Sequence, residues 1–233
     1  MDRCGRAHGR LRRHCPRRPD WLARTPDSVD DITAATLPGN GLAARQALDL
    51  LHITAGQRVL VTGASGAVGA YGVALAKLAG APVVAQATSG DEAFVAGLGA
   101  DEVLPRSDAA TLVSRVGIVD AVLDAASLGS ELLPALRDGG AFVLLMGNAF
   151  ASDRVRVERL YSAPNQEQLS GLAELLAAAS CTRAWLTFSH SKRQPRRTSA
   201  SRTGAYAAGS CSARPRRTPT GSESDGNEYG GER

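Results

Sequence analysis

The segment Val59-Leu60-Val61-Thr62-Gly63-Ala64-Ser65-Gly66-Ala67-Val68-Gly69 constrains this chain more than any other. A short apolar, β-branched run leads into three glycines spaced three apart, and residues 70–78 that follow are apolar with one lysine. The order is strand, tight turn, helix. Such a turn sets the first amides of a helix, and the positive end of its dipole, at the edge of a sheet, where they can hold a phosphate. Gly63 permits the turn, Gly66 lets a pyrophosphate approach the backbone, and Gly69 lets the helix pack closely on the strand.

The flanking pattern extends this unit in both directions. Ser28-Val29-Asp30-Asp31 reads as a capping box that starts a short helix ending near Leu37. Pro38-Gly39-Asn40-Gly41 is expected to break it, with a second helix over 42–52. Strands are expected over 58–62, 82–86, 101–104, 119–124 and 141–146, with a sixth over 154–161. Helices are expected between them over 67–79, 91–98, 109–115 and 131–136, and a last one over 166–179. Asp138-Gly139-Gly140 reads as a turn. Near-continuous apolar strands alternating with helices specify a parallel sheet covered on both faces, an α/β doubly wound (Rossmann) fold. Ligands of such sheets bind at the carboxyl ends of the strands, where the strand order reverses.

Charge divides the chain into three. Residues 1–24 carry eight arginines against two acids, residues 25–183 ten basic against seventeen acidic groups, and residues 184–233 nine against four. The middle is an ordinary acidic domain, whereas the ends are rich in Arg, Ser, Thr, Gly and Pro and lack hydrophobic periodicity. Such segments cannot bury enough apolar area to offset the entropy of ordering them. The expected organisation is a disordered basic segment over 1–20, a Rossmann domain over 21–185 and a disordered basic tail over 186–233. Cys4, Cys15, Cys181 and Cys211 form no CxxC pair, which argues against a disulfide framework or a zinc module and fits a reducing, cytoplasmic setting. Cys4, His8, His14 and Cys15 lack the spacing of a structural zinc site, so no metal is expected. No apolar run reaches the roughly 18 residues that cross a bilayer, and the N-terminus has no apolar core of a secretory signal.

Three further segments carry a family resemblance. Ala43-Ala44-Arg45-Gln46-Ala47-Leu48, Gly56-Gln57-Arg58-Val59-Leu60-Val61-Thr62-Gly63 and Leu98-Gly99-Ala100-Asp101-Glu102-Val103 resemble the medium-chain dehydrogenase/reductase superfamily, most closely its zinc-independent quinone oxidoreductase branch. The resemblance covers about residues 21–180. It implies a domain that binds NADPH, with NADH not excluded, and hydride transfer to an activated double bond or quinone. A small-molecule substrate of the quinone or enone class and homodimers formed by edge-strand pairing are implied with it. Carried over residue by residue, Gly66, Ala67, Val68 and Gly69 would cradle the pyrophosphate. Ser89 would lie near the adenosine ribose, and Gly147 and Asn148 near the nicotinamide.

The chain also departs from the family pattern. Thr88-Ser89-Gly90-Asp91-Glu92 follows the second strand without the cation of NADPH-selective relatives. The strand ends on Gln86-Ala87, without the acid that would bind a free ribose in an NAD enzyme. Arg106, after the third strand, could supply the charge for a 2′-phosphate. Ala43 stands where relatives have a threonine facing the nicotinamide. The family's β-rich catalytic domain has no counterpart in this sequence, so no catalytic residue can be named, and the abrupt Arg-rich ends read as frameshifted or mis-started. A non-catalytic nucleotide-binding remnant is therefore the alternative, and nucleic-acid binding through the Arg-rich ends a distant one.

Several residues invite other readings. Asp120 and Asp124 bracket the fourth strand, roughly 13 Å apart and too far to share a proton. Asp124 is read as a strand-end cap. His52 is read as a surface histidine at a helix C-terminus, and Tyr161 as a packing residue. Tyr71, Tyr161 and Tyr206 have no lysine four residues on, which removes a short-chain dehydrogenase.

Overall fold

The computed structural model describes residues 21–178; the expected basic ends, all four cysteines, His8, His14 and Tyr206 lie outside them. Six strands form one parallel sheet: β1 (Val59–Thr62), β2 (Val83–Ala87), β3 (Glu102–Pro105), β4 (Val119–Asp124), β5 (Leu136–Leu144) and β6 (Arg156–Arg159). Their order is β3-β2-β1-β4-β5-β6, with every pairing parallel. The order reverses between β1 and β4, as a doubly wound fold requires.

Alternation along the strands builds two cores. Val59, Val61, Ala85, Leu123 and Val143 face one layer, and Leu60, Val84, Val122, Phe142 and Leu144 the other. The first layer is covered by α2 (Leu42–Leu51), α3 (Ala67–Leu78), α4 (Glu92–Gly97) and α6 (Gln166–Ala177). The second is covered by α5 (Ala109–Val116) and a 3-10 helix, Gly129–Ala135. Val59, Leu60 and Val61 are fully buried. Among the described residues no helix is long and apolar enough to cross a membrane.

Local expectations fail where side chains or glycines act unlike their averages. The first helix, α1, spans only Asp31–Ala34 and is capped by Asp30, not Ser28. The Asp30 carboxylate accepts the amides of Ile32 and Thr33, both at 3.0 Å, and the Thr33 hydroxyl at 2.6 Å. These bonds hold its carboxyl below the usual range, the Thr33 hydroxyl foremost. Pro38-Gly39-Asn40-Gly41 does not break the chain. It lies in a π-helical turn, Leu37–Gly41, that runs straight into α2. Pro38 sits at the start, where its missing N–H costs nothing. Gly41 leaves space for the Tyr71 ring, 3.2 Å from where a Cβ would stand.

The expected turn at Asp138-Gly139-Gly140 lies inside β5, which begins earlier and ends earlier than expected. Pairing with β4 slips between Val119/Leu136 and Ala121/Ala141. Gly139 has φ +72°, and a Cβ on Gly140 would stand 2.8 Å from the Asp120 carbonyl oxygen. The two glycines therefore absorb the slip within the strand.

Asp101 ties the α4–β3 connection to the first half of the sheet. Its carboxylate accepts the Lys77 ammonium at 2.6 Å and the Val83 amide at 2.7 Å. These bonds, with Lys77 the largest influence, hold its carboxyl below the ordinary 3.8. A lowered value stabilises the fold above the unfolded carboxyl value, and the contribution is lost as pH falls through the folded one. Asp101→Asn is expected to lower the thermal midpoint at pH 7. The gap to the wild type should close as pH falls below 3.8 in acid denaturation curves.

Candidate functional site

Gly63 ends β1 with φ +59°, the left-handed conformation that glycine adopts without strain. A Cβ there would stand 3.1 Å from the carbonyl carbon and oxygen of Ala125, so the turn lies directly against the loop after β4. Gly66 caps α3 and, lacking a side chain, offers no oxygen to the first amides of the helix. Its own N–H donates to the Gly63 carbonyl at 2.8 Å, closing the turn. A Cβ on Gly69 would stand 2.2 Å from the Gly63 oxygen and 2.8 Å from the Gly63 carbonyl carbon. The helix thus seats its first turn on the end of β1. Gly72, one turn on, does the same against β4, where a Cβ would meet Leu123 Cδ2 at 2.5 Å.

The outcome is a cleft of about 410 Å³ at the carboxyl ends of β1, β4 and β5. Gly63, Gly66, Ala67, Val68 and Gly69 line it together. The other walls come from distant parts of the chain: Ala43 on α2, Ala125 after β4, Leu145 and Met146 after β5, and Leu160 and Ser162 after β6. Amides of a twelve-residue helix without a side-chain cap, opened by glycines whose Cβ atoms would collide with backbone, fit the phosphates of a dinucleotide. The Leu145 amide donates to the Asp124 carbonyl at 3.1 Å. Phe150 packs edge-on against Phe142, ring centres 5.2 Å apart, and pins the far end of the loop after β5. The strand extension expected to Met146 is instead cleft wall, with Met146 70% exposed.

The remaining site residues expected from the sequence do not line this cleft. Ser89 is exposed in the turn after β2. That turn is tied to the glycine loop by the Thr88 amide, which donates to Ser65 Oγ at 2.8 Å. Glu92 accepts the Gly90 amide at 2.8 Å, so a carboxylate occupies the same turn. Arg106 is exposed and follows Pro105, which pairs with Ala87 at the end of β2. The register therefore delivers Arg106 beside the turn that carries Ser89. Gln86, buried between them, donates from Nε2 to the Ser107 carbonyl at 3.1 Å and fixes the loop that follows Arg106. Gly147, at φ +97°, and Asn148 are exposed just beyond Met146.

Asp120 and Asp124 lie at opposite ends of β4, and Asp124 is the strand-end cap expected of it. Asp120 accepts the Arg58 amide at 2.7 Å and pairs with Arg137 at the amino end of the sheet. Asp124, fully buried at the carboxyl end, accepts the Thr62 hydroxyl at 2.7 Å and the amides of Ala126, Leu128 and Gly129 at 3.2, 3.2 and 2.7 Å. His52 is the exposed C-cap of α2, in the left-handed region at φ 51°. Tyr161 is not a packing residue: it is 76% exposed, with the Arg159 guanidinium 5.1 Å from its ring centre. β6 is the sheet edge and only half-buried, so no described element covers Tyr161.

Comparison with known proteins places this geometry. The chain is 47% identical over 87 residues to a chloroplast envelope quinone oxidoreductase homolog of Arabidopsis thaliana, covering 35% of this chain and 26% of that protein. The chain is related to the medium-chain dehydrogenases/reductases. It is also 32% identical over 125 residues to an acryloyl-coenzyme A reductase of Sulfurisphaera tokodaii, covering 52% of this chain and 37% of that one. The solved quinone oxidoreductase of Coxiella burnetii superposes with a TM-score of 0.62 at 26% identity, covering 70% of this chain and 54% of that one. The chain thus spans about half the length of that structure and a quarter to two fifths of these curated relatives. No family model matches. The resemblance is to oxidoreductases that use nicotinamide cofactors.

Proposed function

We propose that this chain is the NADPH-binding domain of a zinc-independent, cytoplasmic oxidoreductase of the quinone reductase or enoyl reductase type. One observation carries the reading: the uncapped amides of α3 are seated on the Gly63 carbonyl by Gly69, at the point where the strand order reverses. Gly63, Gly66, Ala67, Val68 and Gly69 would hold the pyrophosphate. Leu145, Met146, Leu160 and Ala43 make the other end of the cleft apolar, which suits an uncharged reduced nicotinamide. The bound dinucleotide supplies the hydride, and this chain's residues bind, orient and exclude water on one side of it. The acceptor is a quinone or another activated double bond such as an enone, a reading supported by relatives named quinone oxidoreductase and acryloyl-coenzyme A reductase. Pairing of two copies along β6 goes with the same reading, and a solution mass of one chain counts against it.

Arg106 is the residue proposed to read the 2′-phosphate. It is exposed and has no ion pair among the described residues, and the register brings it beside the turn after β2. Titrating the full chain with NADPH and NADH by calorimetry tests both statements. NADPH should bind more tightly, and Arg106→Ala should weaken NADPH roughly 10- to 100-fold, the effect of one charge-assisted phosphate contact. NADH affinity should not change. Binding of neither nucleotide removes the dinucleotide reading, and an equal loss of both removes the role of Arg106. The second reading is a nucleotide-binding remnant without turnover, favoured by the part of the relatives' length that the chain spans. Binding without oxidation of NADPH in the presence of quinones and enones would establish it.

A further inference from the structure

The loop between β6 and α6 is held by a helix that precedes the whole sheet in the chain. Leu160, whose amide donates to the Leu144 carbonyl at 2.9 Å, still belongs to the sheet. Two residues on, Ser162 lines the cleft. Ala163 follows, and there Gln46 of α2 makes two bonds to one residue. Its Nε2 donates to the Ala163 carbonyl at 2.8 Å, and its Oε1 accepts the Ala163 amide at 3.0 Å. A side-chain amide that donates to and accepts from the backbone of one residue supplies what a neighbouring strand supplies in a sheet. β6 is the edge of the sheet, and the glutamine holds the chain just past it.

The loop has room to move and little burial to stop it. Ser162, Ala163, Pro164 and Asn165 are exposed. A second hollow of about 220 Å³, walled by Trp21, Pro38, Leu42 and Leu169, also borders the loop. Ser162 lines both cavities, so the loop is the partition between them. Hydrogen bonds at so exposed a place exchange with those of water and add little net stability, so what the pair decides is position. Gln46 is itself fixed. Its Nε2 also donates to Gln168 Oε1 at 3.0 Å, and Gln168 Nε2 donates to Asp49 Oδ2 at 2.7 Å. Ala43, one turn before Gln46 on α2, lines the cleft. One helix thus carries one piece of the cleft wall and the clasp on another.

We propose that Gln46 is a positioning residue for the nicotinamide end of the cleft, holding Leu160 and Ser162 in place through its two bonds to Ala163. The inference rests on the dinucleotide reading above. Freed at Ala163, the loop has to be ordered each time the nicotinamide enters, and that cost appears as lost affinity. The phosphate end, built on the α3 amides, does not feel it. Calorimetric titration of the full chain with NADPH and with 2′-phospho-ADP-ribose, the same molecule without its nicotinamide, separates the two ends. Gln46→Met keeps the length of the side chain and removes both bonds. It should bind NADPH about 10-fold more weakly and 2′-phospho-ADP-ribose as the wild type does. Gln46→Glu keeps the acceptor for the Ala163 amide and loses the donor to its carbonyl, so its NADPH affinity should fall between the two. The thermal midpoint of Gln46→Met should fall by only a few degrees.

A loss confined to the ligand that carries the nicotinamide is a signature that a merely structural glutamine cannot give. Equal loss of both ligands, or wild-type NADPH affinity in Gln46→Met and Gln46→Glu, overturns the assignment and leaves the dinucleotide reading in place. A wild type that binds NADPH no more tightly than 2′-phospho-ADP-ribose does the same, since the nicotinamide then gains nothing from the cleft. A wild-type chain that binds neither ligand overturns both.

Discussion

Gly69→Ala is expected to weaken dinucleotide binding on the order of 100-fold. The new carbon would stand 2.2 Å from the Gly63 oxygen and 3.0 Å from Ala64 Cα. Both are backbone atoms, so no side chain can swing aside. Either α3 lifts or the turn after β1 opens, and each moves the amides of Ala67, Val68 and Gly69 away from the proposed phosphate position. Misplacement of about an ångström costs on the order of 100-fold in a well-ordered site. Overpacking of about 1–3 kcal/mol should lower the thermal midpoint by roughly 2–10 °C.

Gly171→Ala supplies the contrast, since it lies inside α6 with nothing within 4 Å of the added carbon. There the same substitution should raise stability by about 0.5–1 kcal/mol, because alanine loses less backbone freedom than glycine in a helix. Calorimetric titration and thermal melts of the two variants side by side check the pair. Unchanged nucleotide affinity in Gly69→Ala would remove the close seating of α3 from the account of binding.

Asp124→Ala is expected to cause the largest loss of stability. The carboxylate is fully buried and receives four donors, one hydroxyl and three amides. Ala126 and Thr62 retain each other, so the substitution leaves the Leu128 and Gly129 amides without an acceptor. Both amides are half-buried, and each donor left without an acceptor costs about 1–3 kcal/mol. A loss of roughly 2–6 kcal/mol, or about 4–20 °C in thermal midpoint, follows for a domain of this size. Asp124→Asn keeps one acceptor and should fall between the alanine variant and the wild type. Thermal and denaturant melts of the three chains, read as midpoints, check the order. A midpoint for Asp124→Ala within a degree of the wild type would mean that the loop finds other acceptors.

These two residues differ in how they could be read from the sequence. Gly69 is legible because its reason is local: glycines at spacing three, after Val59-Leu60-Val61-Thr62 and before an apolar helix, describe one strand–turn–helix unit within eleven residues. The parallel pairing and the two-sided core follow in the same way from the alternation of short apolar runs with helical segments, whereas the order of the strands across the sheet does not. Asp124 was legible only as a strand-end cap. That it accepts Thr62 depends on β4 lying beside β1 rather than beside β3, a neighbour 62 positions away.

Local errors had a similar origin. Ser28 and Asp30 are equally good caps by composition, and only the helix start chose between them. Pro38-Gly39-Asn40-Gly41 has the composition of a break, but Tyr71, from another helix, packs on Gly41 and keeps the turn wound. Asp138-Gly139-Gly140 has the composition of a turn, but pairing with β4 continues across it.

The amino-acid sequence by itself determined the parallel α/β architecture, the glycine turn and the resemblance to nicotinamide-dependent oxidoreductases, because each of these is written in neighbouring residues. The tertiary structure alone decided which distant residues make the cleft. Ala43, Ala125, Met146 and Ser162 meet at its walls only after six strands take their order. Ser127 takes its left-handed conformation only because a carboxylate from the end of β4 draws three amides around itself. Hydrogen bonds and contacts between residues far apart in the chain depend on strand order and register, and no local pattern carries that information.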